Sequence, residues 1–229
     1  MRLTRVAPDF RSLFTTMTLV AAAVSAPAPA ASQWIVGAQA GLPAFTVAGS
    51  APEGAGYGRQ TRIMASGVLG YRIGSSLVLR LEPGFIQKGA GVAYDVDGIE
   101  EPVDSLSLNL DYVSVPIVAQ VFTPGGRGFV TFGFDYSTLS SATLSTVGGD
   151  REEDVKDLLR SSDVSMLFGA GGLVRRGQPE VALELRYAQS LGKVLEQGSG
   201  GPAAGLPDGL RSSGFQFTAG VSWRLGGDR

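Results

Sequence analysis

The chain has 229 residues, with 33 glycines, no cysteine and no histidine, and 17% of its residues are charged against 44% hydrophobic. That composition excludes a disulfide scaffold and a highly charged soluble chain, and a formal charge of −2 leaves no electrostatic footprint for nucleic acid. Length alone allows one large β-domain or two small ones.

Arg2, Arg5 and Arg11 precede an apolar run from Leu13 to Val24, and small residues and prolines follow as far as Ser32. This order predicts a secretory signal over residues 1–30, with Ala28 and Ala30 as the small pair before cleavage, and its apolar core is too short to span a bilayer as a helix. Removing it takes away three basic residues and Asp9, leaving 16 basic and 20 acidic residues and a charge near −4. No further apolar run is long enough for a transmembrane helix.

From about Gln33 the apolar residues recur with period two, the signature of strands with two unlike faces. The first run, Gln33 to Phe45, sets Trp34, Val36, Ala38, Ala40 and Leu42 against Gly37, Gln39 and Gly41. After a loop over Thr46 to Gln60 comes a hairpin, Ile63 to Lys88, turning at Gly74-Ser75-Ser76. Its second arm puts Leu77, Leu79, Leu81, Pro83 and Phe85 on one face and Arg80, Glu82 and Lys88 on the other.

A long acidic loop, Gly89 to Asp104, leads to the run Leu106 to Phe122, in which the apolar set changes parity at Tyr112. That slip predicts a β-bulge there, with Pro116 nearby. The fifth run carries Val130, Phe132, Phe134 and Tyr136. In the loop from Leu139 to Ser161, Asp150 and Glu153 have capping-box spacing and Val155, Leu158 and Leu159 fall at helical intervals, which predicts a short helix capping the rim. Runs over Asp163 to Arg175, Val181 to Ala188 and Phe215 to Leu225 complete the set.

Eight strands result, joined by connections that alternate long and short, so that turns gather at one end and loops at the other. The expected fold is all-β, an eight-stranded antiparallel up-and-down transmembrane β-barrel formed by residues 31–229. Trp34, Tyr71 and Trp223 fall at the turn end of the apolar face and Tyr136, Tyr187 and Phe215 near the loop end, as two interfacial belts require, so the apolar face is expected to meet lipid. The other face then lines a lumen narrow enough to be filled by side chains. There Arg80, Glu82, Glu184 and Arg186 lie at similar depths, and the expectation is a structural charge cluster with crossed pairs, Arg80 with Glu184 and Arg186 with Glu82. A proton or ion relay is the functional alternative for the same four residues.

Three function classes compete. Barrel enzymes that activate a serine or water rely on a histidine, which this chain lacks. A carboxylate pair, Asp135 with Asp163, is the remaining hydrolytic option, with Lys88 as the base that would instead neutralise one of them. No cofactor is expected, since neither a glycine-rich phosphate loop nor cysteine and histidine metal ligands are present. A soluble periplasmic barrel of the lipocalin type would turn the apolar face inward around a small hydrophobic ligand, but its outer face should then carry many Lys and Glu residues where this chain has Gly, Ser, Thr, Ala and Gln. The third class is a non-catalytic barrel of the outer membrane that acts through its external loops or as a structural element.

The segments Gly37-Ala-Gln-Ala-Gly41, Leu79-Arg-Leu-Glu-Pro-Gly-Phe-Ile-Gln-Lys-Gly89, Leu108-Asn-Leu-Asp-Tyr-Val-Ser-Val-Pro116 and Glu184-Leu-Arg-Tyr187 together resemble the PorT-like outer-membrane β-barrel proteins, and the resemblance runs from Val36 to Leu225. It departs from them at Ser114, where an acidic residue is usual, at Gln120, where lysine is frequent, and at Gly226-Gly-Asp-Arg229, where such barrels commonly end on an aromatic. The resemblance implies a place in the outer-membrane lipid, insertion by the barrel assembly machinery, and, in some relatives, partnership with an envelope secretion or gliding complex.

Overall fold

The computed structural model describes residues 34–48, 55–94, 103–146, 152–192 and 211–225. The expected signal over residues 1–30, Asp150 of the capping box and the tail Gly226–Arg229 lie outside them.

Eleven strands are present among the described residues: β1 (Trp34–Ala48), β2 (Ala55–Thr61), β3 (Met64–Ile73), β4 (Leu77–Leu81), β5 (Gly84–Tyr94), β6 (Val103–Phe122), β7 (Gly128–Thr146), β8 (Glu152–Asp154), β9 (Ser162–Arg175), β10 (Glu180–Ser190) and β11 (Arg211–Leu225). All pairings are antiparallel, and they run from β1 through β3, β4 and β5, β6, β7, β9, β10 and β11 back to β1, so the sheet closes on itself. Closure removes the free edges that an open sheet would present.

Two breaks interrupt the strands, and one has a local cause. Pro83 has no amide hydrogen and separates β4 from β5, while the Glu82 amide reaches across to the Pro116 carbonyl at 2.9 Å. Arg62 and Ile63 separate β2 from β3, so strand structure occupies part of what the Gly/Pro/Ser composition predicts as loop. β5, β6 and β7 likewise extend into predicted loops, to Tyr94, from Val103 and to Thr146.

The alternation places apolar side chains outside and polar ones inside. Leu79, Ile117, Phe132, Phe134, Phe168, Leu185 and Phe217 are exposed on the outer surface, whereas Gln39, Glu82, Lys88, Asp135, Glu184, Arg186 and Gln216 are buried. The aromatics expected at the turn end, Trp34, Tyr71 and Trp223, face outward, with Trp34 and Tyr71 in edge contact at 5.1 Å. At the loop end Tyr187 and Phe215 pack at 5.3 Å.

The parity change at Tyr112 has a different origin from the one its pattern predicts. β6 itself does not slip: Leu110, Tyr112, Ser114, Val118, Gln120 and Phe122 are all buried. The register shift does fall between Asp111 and Tyr112, but the extra residue is Ser140 of β7, because Asp111 pairs with Ser141 and Tyr112 with Leu139. What changes at this level is the environment. From Tyr112 to Phe122 the polar layer is inside and the apolar face outside. Beyond it Leu110, Ala142, Ile86, Phe45 and Met64 build an apolar core inside the barrel, and Gln87 and Asp111 bond to each other on its outer face at 3.1 Å. β6 has 20 residues, about twice what a tilted strand needs to cross the hydrocarbon, so its surplus stands clear of lipid and obeys the soluble rule.

The predicted rim helix is not formed. Glu152–Asp154 add to β7 as a short strand, and Lys156–Leu158 make a single 3-10 turn. Val155 and Leu159 nevertheless bury themselves in the apolar core at the loop end, so the apolar spacing reflects packing onto the barrel mouth.

Candidate functional site

The polar layer inside the barrel is the concentration of chemistry in the chain, and it is assembled strand by strand. Glu82 stands at the β4–β5 break with 0% relative exposure. From the opposite wall β10 contributes Glu184 and Arg186, two residues apart and therefore on the same face. The Arg186 guanidinium occupies the centre. Its Nη1 and Nη2 donate to the two Glu82 oxygens at 2.5 and 2.9 Å, and its Nε and Nη2 donate to the two Glu184 oxygens at 2.7 and 2.9 Å. One planar cation thus satisfies a carboxylate on each of two edges, which a lysine ammonium cannot do.

Of the two crossed pairs, Arg186 with Glu82 is brought together and Arg80 with Glu184 is not. Arg80 turns to the carboxylate on its own strand face, with its Nε 3.0 Å from Glu82 Oε1, and its Nη2 donates to Gln39 Oε1 at 3.1 Å. The reason is reach: same-face neighbours on a strand are only about 7 Å apart. Arg186 already fills the axis that a second crossing would need. Two neutral residues complete the cluster. Gln39 Nε2 donates to Glu82 Oε2 at 2.8 Å and Gln120 Nε2 to Glu184 Oε2 at 3.2 Å. Gln120 thereby serves as an uncharged donor to a carboxylate. The four ionic groups sum to zero charge.

A second polar group lies nearer the loop end. Lys88 Nζ is 2.8 Å from Asp163 Oδ2, and the ammonium also lies over the rings of Tyr112 and Phe45, at 4.9 and 5.3 Å from their centroids. Ser165 and Ser190 donate to the same carboxylate. Asp135 accepts from Ser114 at 2.6 Å and from Ser137 at 2.8 Å. The carboxylates weighed as a hydrolytic pair are therefore each engaged with their own donors, Ser114 among them. Gln39, Ser114 and Ser137 escape a charge-based search of the sequence. The signal that finds them is parity, because each lies on the inward face of its strand.

The polar layer is closed at both ends. At the turn end Ile35, Val78, Phe122 and Phe129 form an apolar cluster, and at the loop end the core around Phe45, Leu110, Tyr112, Leu139 and Val155 covers it. Among the described residues no group of three or more His, Cys, Asp or Glu side chains is placed to hold a metal ion.

Space for the central guanidinium comes from Gly169 on β9. A Cβ there would stand 2.8 Å from Arg186 Cγ and 2.8 Å from the Leu185 carbonyl. Gly169→Val is expected to destabilise the barrel by about 1–3 kcal/mol through overpacking. Gly67→Val, whose added Cβ would meet nothing closer than the Pro83 carbonyl at 3.9 Å, should be neutral or stabilising. Urea midpoints of the two variants folded in vesicles check the contrast.

A closed antiparallel sheet with apolar side chains outside and hydrogen-bonded charges inside defines an integral membrane β-barrel. Residues 25–196 match the outer membrane protein beta-barrel domain, and the chain belongs to that family. It is a small integral protein of the cell outer membrane. No curated protein sequence matches it. In fold the chain is similar to Ail, the attachment invasion locus protein of Yersinia pestis, at 15% identity and a TM-score of 0.44, over 83% of this chain and 99% of that one. It is similar to neisserial surface protein A at 17% identity and a TM-score of 0.45, over 86% and 100% of the two chains. Its similarity to OprG from Pseudomonas aeruginosa is at 10% identity and a TM-score of 0.42, over 85% and 97%.

Proposed function

We propose that the chain is a non-catalytic outer-membrane barrel of PorT-like type, with eight staves, whose interior serves as structural ballast and whose loop end is the working surface. The count of eight takes β2 with β3 and β4 with β5 as interrupted staves and β8 as an appendage of the rim. Residues 1–30 direct export, and the barrel assembly machinery inserts residues 31–229. The observation that carries this reading is the reversal of a soluble protein's pattern: buried ion pairs inside, as at Arg186, and large apolar side chains exposed outside, as at Ile117 with 64% relative exposure.

The same observation weighs against a lipocalin-like pocket, since the inward face holds charge where a hydrophobic ligand would have to sit. Catalysis is disfavoured by the engagement of every described lumen carboxylate with donors and by the absence of histidine. Solute conduction is disfavoured by the apolar clusters that close both ends.

Refolded in detergent, the mature chain is expected to migrate differently before and after boiling, and in cells it should remain with membranes through alkaline extraction. Release as a soluble monomer without detergent would overturn the reading.

A further inference from the structure

The turn end carries a set of cations with no assigned partner. Its described charged residues are Arg72, Arg127, Arg175, Arg176, Glu180 and Arg224. Two of these arginines are occupied. Arg72 lies over the Phe122 ring, 5.0 Å from its centroid, and Arg224 Nη2 is 2.9 Å from Glu180 Oε1. Arg127, Arg175 and Arg176 are exposed and form no ion pair with any described residue.

These three converge because two turns are neighbours. Arg127 ends the β6–β7 turn and Arg175–Arg176 open the β9–β10 turn, while β7 pairs with β9 from Gly128 opposite Gly172. The Leu173 amide donates to the Arg127 carbonyl at 2.7 Å, and Arg176 Nη2 lies over Gly126. On the outer face the apolar band begins at once, with Val130 51% and Val174 68% exposed. The guanidiniums therefore stand within three residues of the lipid-facing surface, roughly 10 Å along a strand. The connection from β5 to β6, at the other end, is acidic, with Asp95, Asp97, Glu100 and Glu101.

We propose that Arg127, Arg175 and Arg176 form a docking surface for the phosphate groups of anionic phospholipid in the leaflet that meets the turn end. This rests on the membrane reading above. A guanidinium presents paired donors that match two phosphate oxygens, and clustered like charges without counter-ions among the described residues favour an anionic partner. A soluble anionic polymer would meet the same charges, but the apolar border at Val130 and Val174 fits acyl chains beneath a headgroup.

The test uses the mature barrel in nanodiscs of equal phosphatidylglycerol and phosphatidylcholine, with retained lipid counted by native mass spectrometry. The wild type is expected to retain phosphatidylglycerol preferentially, and the combined variant Arg127→Gln, Arg175→Gln, Arg176→Gln should lose that preference by roughly fivefold per arginine, the factor equivalent to about 1 kcal/mol each. Arg160→Gln with Arg211→Gln, at the loop end, should leave it unchanged. Equal retention by the triple variant, or equal loss in the loop-end variant, overturns the proposal. So does a barrel that prefers no lipid yet binds cell-wall sacculi through these arginines. A barrel that inserts and shifts on heating but shows no preference sinks only this proposal, whereas a chain that does not insert sinks the membrane reading.

Discussion

Replacing Arg186 with methionine is expected to cost the folded barrel about 3–5 kcal/mol, the range for stranding the partners of a buried ion pair. The Arg186 side chain is inaccessible to solvent and serves two carboxylates, so its loss leaves Glu82 with Arg80 and Gln39, and leaves Glu184 with Gln120 alone. Lysine at this position should recover little, because a single ammonium cannot bridge both carboxylates in the plane where they lie. Adding Glu184→Gln to Arg186→Met should restore a substantial part of the stability by removing the less well supported charge. Urea unfolding in vesicles, followed by tryptophan fluorescence and by the heat-dependent gel shift, measures the series. A single variant as stable as the wild type, or a double variant no better than the single, would show that the cluster does not hold the walls together.

The second large effect concerns depth. Ile117→Arg, at the middle of the outward apolar face of β6, should destabilise the inserted barrel by about 2–4 kcal/mol, while Ser141→Arg, exposed on the same outer surface but level with Asp111, should cost about 0–1 kcal/mol. The contrast locates where β6 and β7 leave the hydrocarbon. Equal costs at the two positions would mean that lipid does not end near Tyr112, and a neutral Ile117→Arg would remove lipid from this face altogether.

Together these expectations describe a barrel whose inside and outside exchange character along its length. Within the bilayer the interior must be polar enough to satisfy itself and the exterior apolar enough for lipid. Above that level the interior becomes an ordinary core, which Val155 and Leu159 close from the rim.

Much of this was legible in the chain itself. Period-two alternation identified eight runs and their two faces, because side chains on a strand point to opposite sides whatever the fold around them, while β2 and β8 lie where loop and helix were expected. The poverty of Lys and Glu on the minority face indicated which side meets lipid, and the inward parity of Arg80, Glu82, Glu184 and Arg186 placed them in one layer. Partner choice within that layer was not legible. Arg186 reaches Glu82 across the barrel while Arg80 stays with Glu82 on its own strand face, an outcome set by reach across the closed wall and by the room that Gly169 leaves. Nor could alternation distinguish a slipped strand from a straight one whose surroundings change. At Tyr112 the pattern inverts because the solvent does, and the extra residue sits in β7 at Ser140. Parity is a local property of the backbone and can be read from one strand. Pairing, register and the level of the membrane are properties of several strands at once, and only the closed tertiary structure decides them.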